Sequence, residues 1–225
     1  RPLVYFDSLS FENVYFKYPK TDKYVLEGAT FTLNKGDKLS IVGINGSGKS
    51  TIIKLMIGLY TIESGQILIN GHPISEYDIK DVRKLFSALF QTFVNYPLSL
   101  RDNVALSDLS RKNNDAEIIN VLKQSGIYEE YEKFKNGLDS YMTRQFDDNG
   151  VEPSKGQWQK IALSRTYFKN APIIIFDEPS AALDAEAEDK IFKSFENISH
   201  NKTGIMISHR ISGARYSNKI IVLDQ

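Results

Sequence analysis

Residues 41–51, which read IVGINGSGKST, combine glycines with one lysine and three hydroxyl side chains. The segment from Gly43 to Ser50 satisfies the pattern G-x-x-x-x-G-K-[ST], with Gly46 as an additional glycine. Glycines allow a tight turn in which successive N–H groups converge on phosphate oxygens. We expect Lys49 to reach the outer phosphates of a nucleotide and the Ser50 hydroxyl to bind Mg²⁺. The segment predicts a site for a nucleoside triphosphate with magnesium; the alternative is a glycine turn that matches by chance.

The residues after the loop strengthen this interpretation. The chain is strongly apolar from Lys49 to Leu59, which predicts a buried helix whose N-terminus adds its positive dipole end to the site. The residues expected to contact the nucleotide at this loop are Gly43, Asn45, Gly46, Ser47, Gly48, Lys49, Ser50 and Thr51.

Two carboxylates end the apolar segment IIIFDE, residues 173–178. The apolar residues predict a buried strand, and such a strand carries the acids at its C-terminal end to the crevice where ligands bind in α/β sheets. We expect Asp177 to hold magnesium through water, and Glu178 to orient or deprotonate the water that attacks the γ-phosphate. Taken alone, this pair has an alternative interpretation as a strand end capped by solvated acids.

A second anion site is predicted at the segment PSKGQWQKIALSR, residues 153–165. Ser154 and Gly156 come just before a long amphipathic helix, so a hydroxyl and bare N–H groups lie at a helix N-terminus. One nucleotide does not need two such sites within one compact domain. The second site is therefore expected to face the nucleotide of another copy; the alternative is an ordinary helix N-cap.

The elements that must position these groups alternate along the chain. LSFENVYFKY predicts an early antiparallel strand, ATFTLNKGDKLSIVG a hairpin that leads into the phosphate loop, and GQILINGHPI a strand ending at Asn70-Gly71. FSALFQ predicts a short strand that stops at Gln91, and the apolar spacing between residues 97 and 153 is helical. Two further helices and three strands follow. This order predicts an α/β fold with a doubly wound, mainly parallel sheet, an antiparallel β part at the N-terminus and a helical insertion.

Composition excludes several classes. The chain has 225 residues, with 28 basic and 28 acidic side chains, so no electrostatic footprint for nucleic acid or an anionic membrane is visible. It has no cysteine, which excludes disulfides and thiolate metal sites. No apolar run approaches the roughly 20 residues that span a bilayer. The chain begins at Arg1 rather than methionine, and we expect it to be a piece of a longer protein.

These motifs, taken in order, resemble the nucleotide-binding domain of an ABC transporter over essentially the whole chain. The resemblance rests on the phosphate loop, Gln91 at a strand end, PSKGQ at 153–157, IIIFDE at 173–178, SAALDA at 180–185, and His209 after TGIMIS. It implies ATP and Mg²⁺ as ligands and a P-loop NTPase fold. Residues 1–91 and 154–225 would form a RecA-like core with the antiparallel β subdomain, and residues 92–153 a helical subdomain.

The resemblance also assigns roles. Tyr18 resembles the aromatic residue that stacks on adenine, and Gln91 the residue that touches magnesium and the attacking water while sensing the transmembrane part. Asp184 resembles the aspartate that crosses a dimer interface, and His209 the histidine that contacts the γ-phosphate. The family implies a sandwich dimer in which the loop of one copy and the PSKGQ segment of the other, with Ser154, Gly156 and Gln157, enclose each ATP. The catalytic residues are then Lys49, Gln91, Glu178 and His209, and the metal ligands Ser50, Gln91 and Asp177.

Two features resemble exporters of bacterial type, namely YPLSLRDNV at 96–104 and the pair His209-Arg210. The implied partners are a second copy or a paralogue and a transmembrane domain, expected in the same polypeptide, with no nucleic acid. The implied location is the cytoplasmic face of the inner membrane, with this fragment itself soluble. The cargo is not legible in the sequence.

Two departures from the family pattern leave alternatives open. The usual L-S-G-G-Q is Pro153-Ser154-Lys155-Gly156-Gln157 here, so an asymmetric heterodimer with one weakened site stays open beside a working segment. FDDNGVE lacks the threonine-valine-glycine-glutamate stretch of many multidrug exporters. A GTPase is disfavoured because NKII at 218–221 lacks the aspartate of the base-recognition motif. The alternative function is a soluble ABC ATPase of the tandem-domain translation or repair type.

Overall fold

The computed structural model describes residues 2, 5–178, 189, 192–193, 195–196, 202–209 and 211–224. The chain forms two compact units. One consists of Arg1–Ala88 with Ala171–Gln225, and the other of Leu89–Asn170.

The described strands and helices follow the predicted alternation. The strands are β1 (Ser8–Phe16), β2 (Leu26–Asn34), β3 (Lys38–Gly43), β4 (Ser64–Ile69), β5 (His72–Pro73), β6 (Phe86–Leu89), β7 (Ile173–Asp177), β8 (Thr203–Ser208) and β9 (Lys219–Leu223). Among the described residues, the α-helices are α1 (Lys49–Met56), α2 (Ile79–Lys84), α3 (Leu100–Ala105), α4 (Asp115–Ser125), α5 (Tyr128–Tyr131) and α6 (Lys155–Lys169). The fold class predicted from the sequence is confirmed.

A four-stranded antiparallel sheet has the order β2-β1-β4-β5. Its β4–β5 turn is the predicted Asn70-Gly71, where both residues have positive φ, +52° and +77°, as a two-residue hairpin turn requires. The hairpin predicted from β2 into β3 is wrong. β2 pairs with β1 in this sheet, whereas β3 pairs with β8 and β9 in the other sheet, so the chain changes sheets at its turn.

The second sheet is five-stranded, with the order β6-β7-β8-β3-β9, and it determines where the site lies. β3, β7, β8 and β9 run parallel, with Val42 opposite Ser208 and Asp177 opposite Ile207. The C-terminal ends of β3, β7 and β8 therefore meet at one edge. All five residues of β7 and all six of β8 are buried, as expected for parallel strands covered on both faces.

The helical unit is built around α6. Its buried face includes Trp158, Ile161 and Phe168, and it packs against α3 and α4. The division predicted from the sequence placed residues 154–225 in the core, whereas the structure assigns α6 to the helical unit. The reason is its apolar face, which is shared with α3 and α4 rather than being covered by a sheet of its own unit.

Candidate functional site

The phosphate loop connects β3 to α1, and three of its glycines are required for different reasons. Gly46 has φ +83° with open space around it, so only its backbone conformation requires glycine. Gly48, the N-cap of α1, has φ +96°, and a Cβ there would lie 3.0 Å from Val25 Cγ1. At Gly43 a Cβ would lie 2.5 Å from the Leu223 carbonyl oxygen. The close approach of β9 therefore explains Gly43 without any phosphate.

Lys49 is the buried cation of this loop. Its Nζ donates to the carbonyl oxygens of Gly43 and Ile44, each at 2.8 Å, and lies 3.7 Å from Glu178 Oε1. Only 5% of its side chain is exposed. A buried ammonium needs acceptors, and here the loop itself and one carboxylate provide them. The Lys49 side chain is thereby directed along the loop toward the end of β7.

Asp177 and Ser50 form a pair of oxygen ligands at the same edge. Ser50 Oγ donates to Asp177 Oδ1 at 3.4 Å. Burial raises the pKa of the Asp177 carboxyl, and the neighbouring charge of Glu178 raises it further, while Ser50, Lys49 and Lys54 act in the opposite direction. A hydroxyl and a carboxylate are hard ligands suited to Mg²⁺, which usually takes only one or two carboxylates from a protein. Among the described residues, no cluster of three or more His, Cys, Asp or Glu is gathered for a metal.

Glu178 is held in an uncommon backbone conformation. Its φ is +46°, a region that costs a residue with a Cβ roughly 1–2 kcal/mol. Its N–H donates to the Ile207 carbonyl at 3.0 Å, so the bend after β7 is fixed to β8. The carboxylate lies between Lys49 and His209, whose Nδ1 is 3.9 Å from Glu178 Oε2. A strained residue held by its neighbours between two basic side chains is typical of a functional position.

Tyr18 lies two residues beyond the end of β1 and is bound to α1. Its hydroxyl is 2.9 Å from Thr51 Oγ1, and Lys54 Nζ donates to it at 3.4 Å. Thr51 was predicted from the sequence as a nucleotide contact, whereas Lys54 was not predicted to take part in the site. The available signal was the three-residue spacing of Thr51 and Lys54, which places both on one helix face. The distant Tyr18 could not be linked to them from the sequence.

The N-terminus of α6 forms a reciprocal capping box. Ser154 Oγ accepts from the Gln157 N–H at 3.3 Å, and Gln157 Oε1 accepts from the Ser154 N–H at 2.8 Å. Ser154 and Gly156 are exposed. The N-cap alternative is therefore present in the structure, although a hydroxyl that accepts a hydrogen bond still has a proton to donate.

Gly156 is evidence for an anion site that the capping box alone does not explain. Its φ is not in the left-handed region, and a Cβ would meet nothing within 4 Å. No part of the described chain therefore requires glycine at this second position of α6. A bare backbone at an exposed helix N-terminus leaves room for an anion to approach.

The structure brings together only part of the predicted set. Tyr18, the phosphate loop, Asp177, Glu178 and His209 belong to the unit of Arg1–Ala88 with Ala171–Gln225. Gln91, which is exposed two residues after β6, belongs to the helical unit, as do Ser154, Gly156 and Gln157. Asp184 and Arg210 lie outside the described residues.

Sequence reasoning also missed a buried network in the helical unit. Arg165 on α6 donates to Asn103 O at 3.0 Å, to Asn103 Oδ1 at 2.7 Å and to the Val94 carbonyl at 2.9 Å. The Asn103 amide in turn donates to the carbonyls of Tyr96, Leu98 and Ser99. Burial lowers the pKa of Arg165 to about 10, so the guanidinium stays charged at neutral pH. This network ties the segment just after Gln91 to α6.

Comparison with known proteins gives a consistent result. The family described as ABC transporter matches residues 26–181. The chain is 40% identical over 228 residues to the subtilin transport ATP-binding protein SpaT of Bacillus subtilis, covering 97% of this chain and 35% of that protein. It is 43% identical over 213 residues to the nisin transport ATP-binding protein NisT of Lactococcus lactis subsp. lactis, covering 94% and 35%.

A third relative and a solved structure extend the comparison. An ATP-dependent lipid A-core flippase of Methylobacillus flagellatus is 32% identical over 218 residues, covering 97% of this chain and 36% of the flippase. A bacterial Atm1-family ABC exporter with ATP bound superimposes with a TM-score of 0.86 at 31% identity, covering 99% of this chain and 38% of that one. The chain thus spans about a third of the length of these relatives.

Proposed function

We propose, from the premise that this chain belongs to the ABC transporter family, that residues 1–225 are the ATPase domain of an exporter. The observation that carries this proposal is the convergence of Lys49, Ser50, Asp177 and Glu178 at one edge of the parallel sheet. The relatives are named as transport proteins and flippases, which favours export over the soluble tandem-domain alternative.

The chemistry follows from these side chains. The loop N–H groups and the N-terminus of α1 bind the phosphates, and Lys49 exchanges its carbonyl partners for the outer phosphate oxygens. Ser50 and Asp177 would hold Mg²⁺, which neutralises charge on the phosphates when bound. Glu178, between Lys49 and His209, orients the attacking water and accepts its proton. For Gln91, the role in this step that the family resemblance implies stays a prediction.

The proposed active state contains two copies of the domain. Ser154, Gly156 and Gln157 at the exposed N-terminus of α6 serve the nucleotide held by the loop of the partner, and Asp184 lies at the same interface. Lys155 adds positive charge beside this anion site, and the open backbone at Gly156 supports a working segment. The partner is a second copy of this chain or a paralogue.

Export requires a transmembrane domain, which we place in the same polypeptide because the relatives are about three times as long. Among the described residues, no helix is long and apolar enough to cross a bilayer. The domain then works at the cytoplasmic face of the cell membrane. Relatives named for subtilin, nisin and lipid A-core share this domain, so the cargo is chosen elsewhere in the protein.

The Glu178→Gln variant tests the catalytic assignment. The amide keeps the shape of the side chain but cannot accept a proton, so we expect MgATP binding similar to that of the parent, very slow hydrolysis and accumulation of an ATP-bound dimer. Binding and turnover of MgATP are measured separately on the same preparation. Unchanged turnover, or loss of MgATP binding, would show that Glu178 has another role.

A further inference from the structure

The hydroxyl of Tyr18 is bound to two residues of the helix that begins in the phosphate loop. It lies 2.9 Å from Thr51 Oγ1 and accepts a hydrogen bond from Lys54 Nζ at 3.4 Å. Thr51 is 5% exposed, so this end of the ring is directed into the protein. Because α1 starts at Lys49, the helix that holds the hydroxyl of Tyr18 is the same helix that begins in the phosphate loop.

Two further rings restrict the orientation of the Tyr18 ring. Phe16 lies at a centroid distance of 5.1 Å and an interplanar angle of 79°, and Tyr60 at 5.2 Å and 90°. These edge contacts are favoured by the quadrupoles of aromatic rings. Lys54 Nζ is 5.4 Å from the ring centroid but only 3.4 Å from the hydroxyl oxygen. The ammonium therefore lies off the hydroxyl end of the ring and does not cover a ring face.

We propose that Thr51 and Lys54 are positioning residues for the nucleotide base, which act by holding the hydroxyl of Tyr18. This inference rests on the proposed function, because it takes Tyr18 as the residue that stacks on the base. Ordering a flexible side chain at a binding site costs conformational entropy, which lowers the affinity. Here the ring is ordered before the nucleotide arrives, at a fixed position relative to the loop that binds the phosphates.

The hydroxyl and the ring of Tyr18 have different roles in this proposal. Stacking needs only a π face, so a phenylalanine at position 18 would still stack on any base. What it would lack is the attachment to α1. A role in positioning therefore predicts that the hydroxyl matters for a nucleotide, which must reach both the ring and the loop, and not for a ligand that occupies the loop alone.

The test measures dissociation constants of the 225-residue chain for MgATP and for magnesium tripolyphosphate, which has the phosphates but no base. We expect Tyr18→Phe and Lys54→Met each to weaken MgATP roughly threefold to tenfold, the effect of one net hydrogen bond. Tripolyphosphate binding should not change in Tyr18→Phe, which removes no charge. Lys54→Met also removes a charge that acts on Asp177, so it should weaken tripolyphosphate less than it weakens MgATP. The double variant should be no weaker than Tyr18→Phe, because that change already removes the bond from Lys54 as well as the contact with Thr51. Lys54→Arg, which keeps a donor, should retain most of the affinity.

Lys17 provides the matched control. Its Nζ lies 5.8 Å from the ring centroid of Tyr24, so it is a second lysine of the same unit whose ammonium lies beside a tyrosine ring other than that of Tyr18. Lys17→Met should bind both ligands as the parent does. If it weakens MgATP as much as Lys54→Met, general loss of surface charge explains the effect and the inference is wrong.

Thr51 is tested by a double-mutant cycle with Tyr18, because the Thr51 hydroxyl is also expected to contact phosphate. Thr51→Val should weaken both ligands, but its effect on MgATP should be smaller in the Tyr18→Phe background than in the parent. Additive effects would overturn the inference for Thr51.

The remaining outcomes separate this inference from the function on which it rests. If Tyr18→Ala weakens MgATP while Tyr18→Phe and Lys54→Met do not, the base-stacking role stands and the positioning role is refuted. If Tyr18→Ala also binds MgATP as the parent does, Tyr18 is not the base-binding residue. The stacking role of Tyr18 and the positioning role of Thr51 and Lys54 are then both refuted. If Tyr18→Phe and Lys54→Met weaken tripolyphosphate as much as MgATP, the changes disturb the phosphate loop and the inference is refuted.

Discussion

Replacing Gly156 by alanine distinguishes an anion site at the N-terminus of α6 from an ordinary helix cap. Gly156 is the second residue of α6, is exposed, and has room for a Cβ with nothing within 4 Å. Since its backbone is not in the left-handed region, alanine fits without strain. The substitution therefore changes little inside the chain and adds one methyl group at the surface where a phosphate would approach.

The two effects of this change have opposite signs. Alanine is favoured over glycine in helices by roughly 0.5–1 kcal/mol, so the free energy of unfolding should stay the same or rise by up to about 1 kcal/mol. For a chain of this size, that corresponds to an increase in Tm of up to roughly 2–4 °C. If the methyl group prevents a backbone N–H from binding phosphate, the loss is roughly 1–3 kcal/mol, and MgATP should be trapped about 5-fold to 150-fold less tightly.

Thermal unfolding without nucleotide gives the first quantity, and trapping of MgATP by the Glu178→Gln dimer gives the second. Gly126 is the matched control, because it has open space but a φ of +77° as the C-cap of α4. Gly126→Ala should destabilise the chain by roughly 1–2 kcal/mol and leave trapping unchanged. If Gly156→Ala traps MgATP as well as its parent, the N-terminus of α6 is only a helix cap and the reasoning fails.

Two further predictions concern buried charges. Because burial raises the pKa of Asp177, the folded chain binds its proton more tightly than the unfolded chain does, and the associated stability is lost as pH rises from 3.8 through the raised pKa. Asp177→Asn should therefore make the nucleotide-free chain more stable at pH 7 and flatten the pH dependence of its unfolding, while abolishing magnesium-dependent hydrolysis; lower stability at pH 7 would contradict this. Arg165→Met should destabilise the helical unit by about 2–4 kcal/mol, since it removes the charged donor to both the backbone and the side-chain oxygen of the buried Asn103. Arg144→Met, which removes one hydrogen bond from an exposed arginine to the Gly150 carbonyl, should cost under about 0.5 kcal/mol, and equal losses measured by hydrogen exchange would refute the role of the buried network.

The sequence was most informative where a motif fixes its own local structure. The glycine pattern predicted the loop between β3 and α1, and the apolar run before Asp177 predicted a buried strand that ends at the site. Both depend on residues close together in the chain. The cap of α6 was equally legible, because Ser154 and Gln157 are three residues apart and satisfy each other.

Where the structure differs from the prediction made from the sequence, the cause is contact between residues that are far apart in the chain. The turn between β2 and β3 has the composition of a hairpin, but the partners of β3 come from residues 203–208 and 219–223, which no local pattern reveals. In the same way, the contact of Tyr18 with Lys54 joins residues 36 positions apart. The glycine at position 43 was assigned to phosphate, whereas the structure explains it by the approach of Leu223.

The central claim, that each ATP site uses residues of two copies, is tested by two tethered dimers carrying the same two substitutions. In the first, one copy carries Lys49→Ala and the other Ser154→Arg, so both lesions fall in one composite site and the other site stays intact. In the second, one copy carries both changes and its partner is unmodified, so each composite site contains one lesion. Trapping of MgATP is measured in a Glu178→Gln background, since steady-state turnover can require both sites. If each ATP site is formed by two copies, the first dimer traps MgATP and the second does not. Stronger trapping by the second dimer would contradict a site formed by two copies.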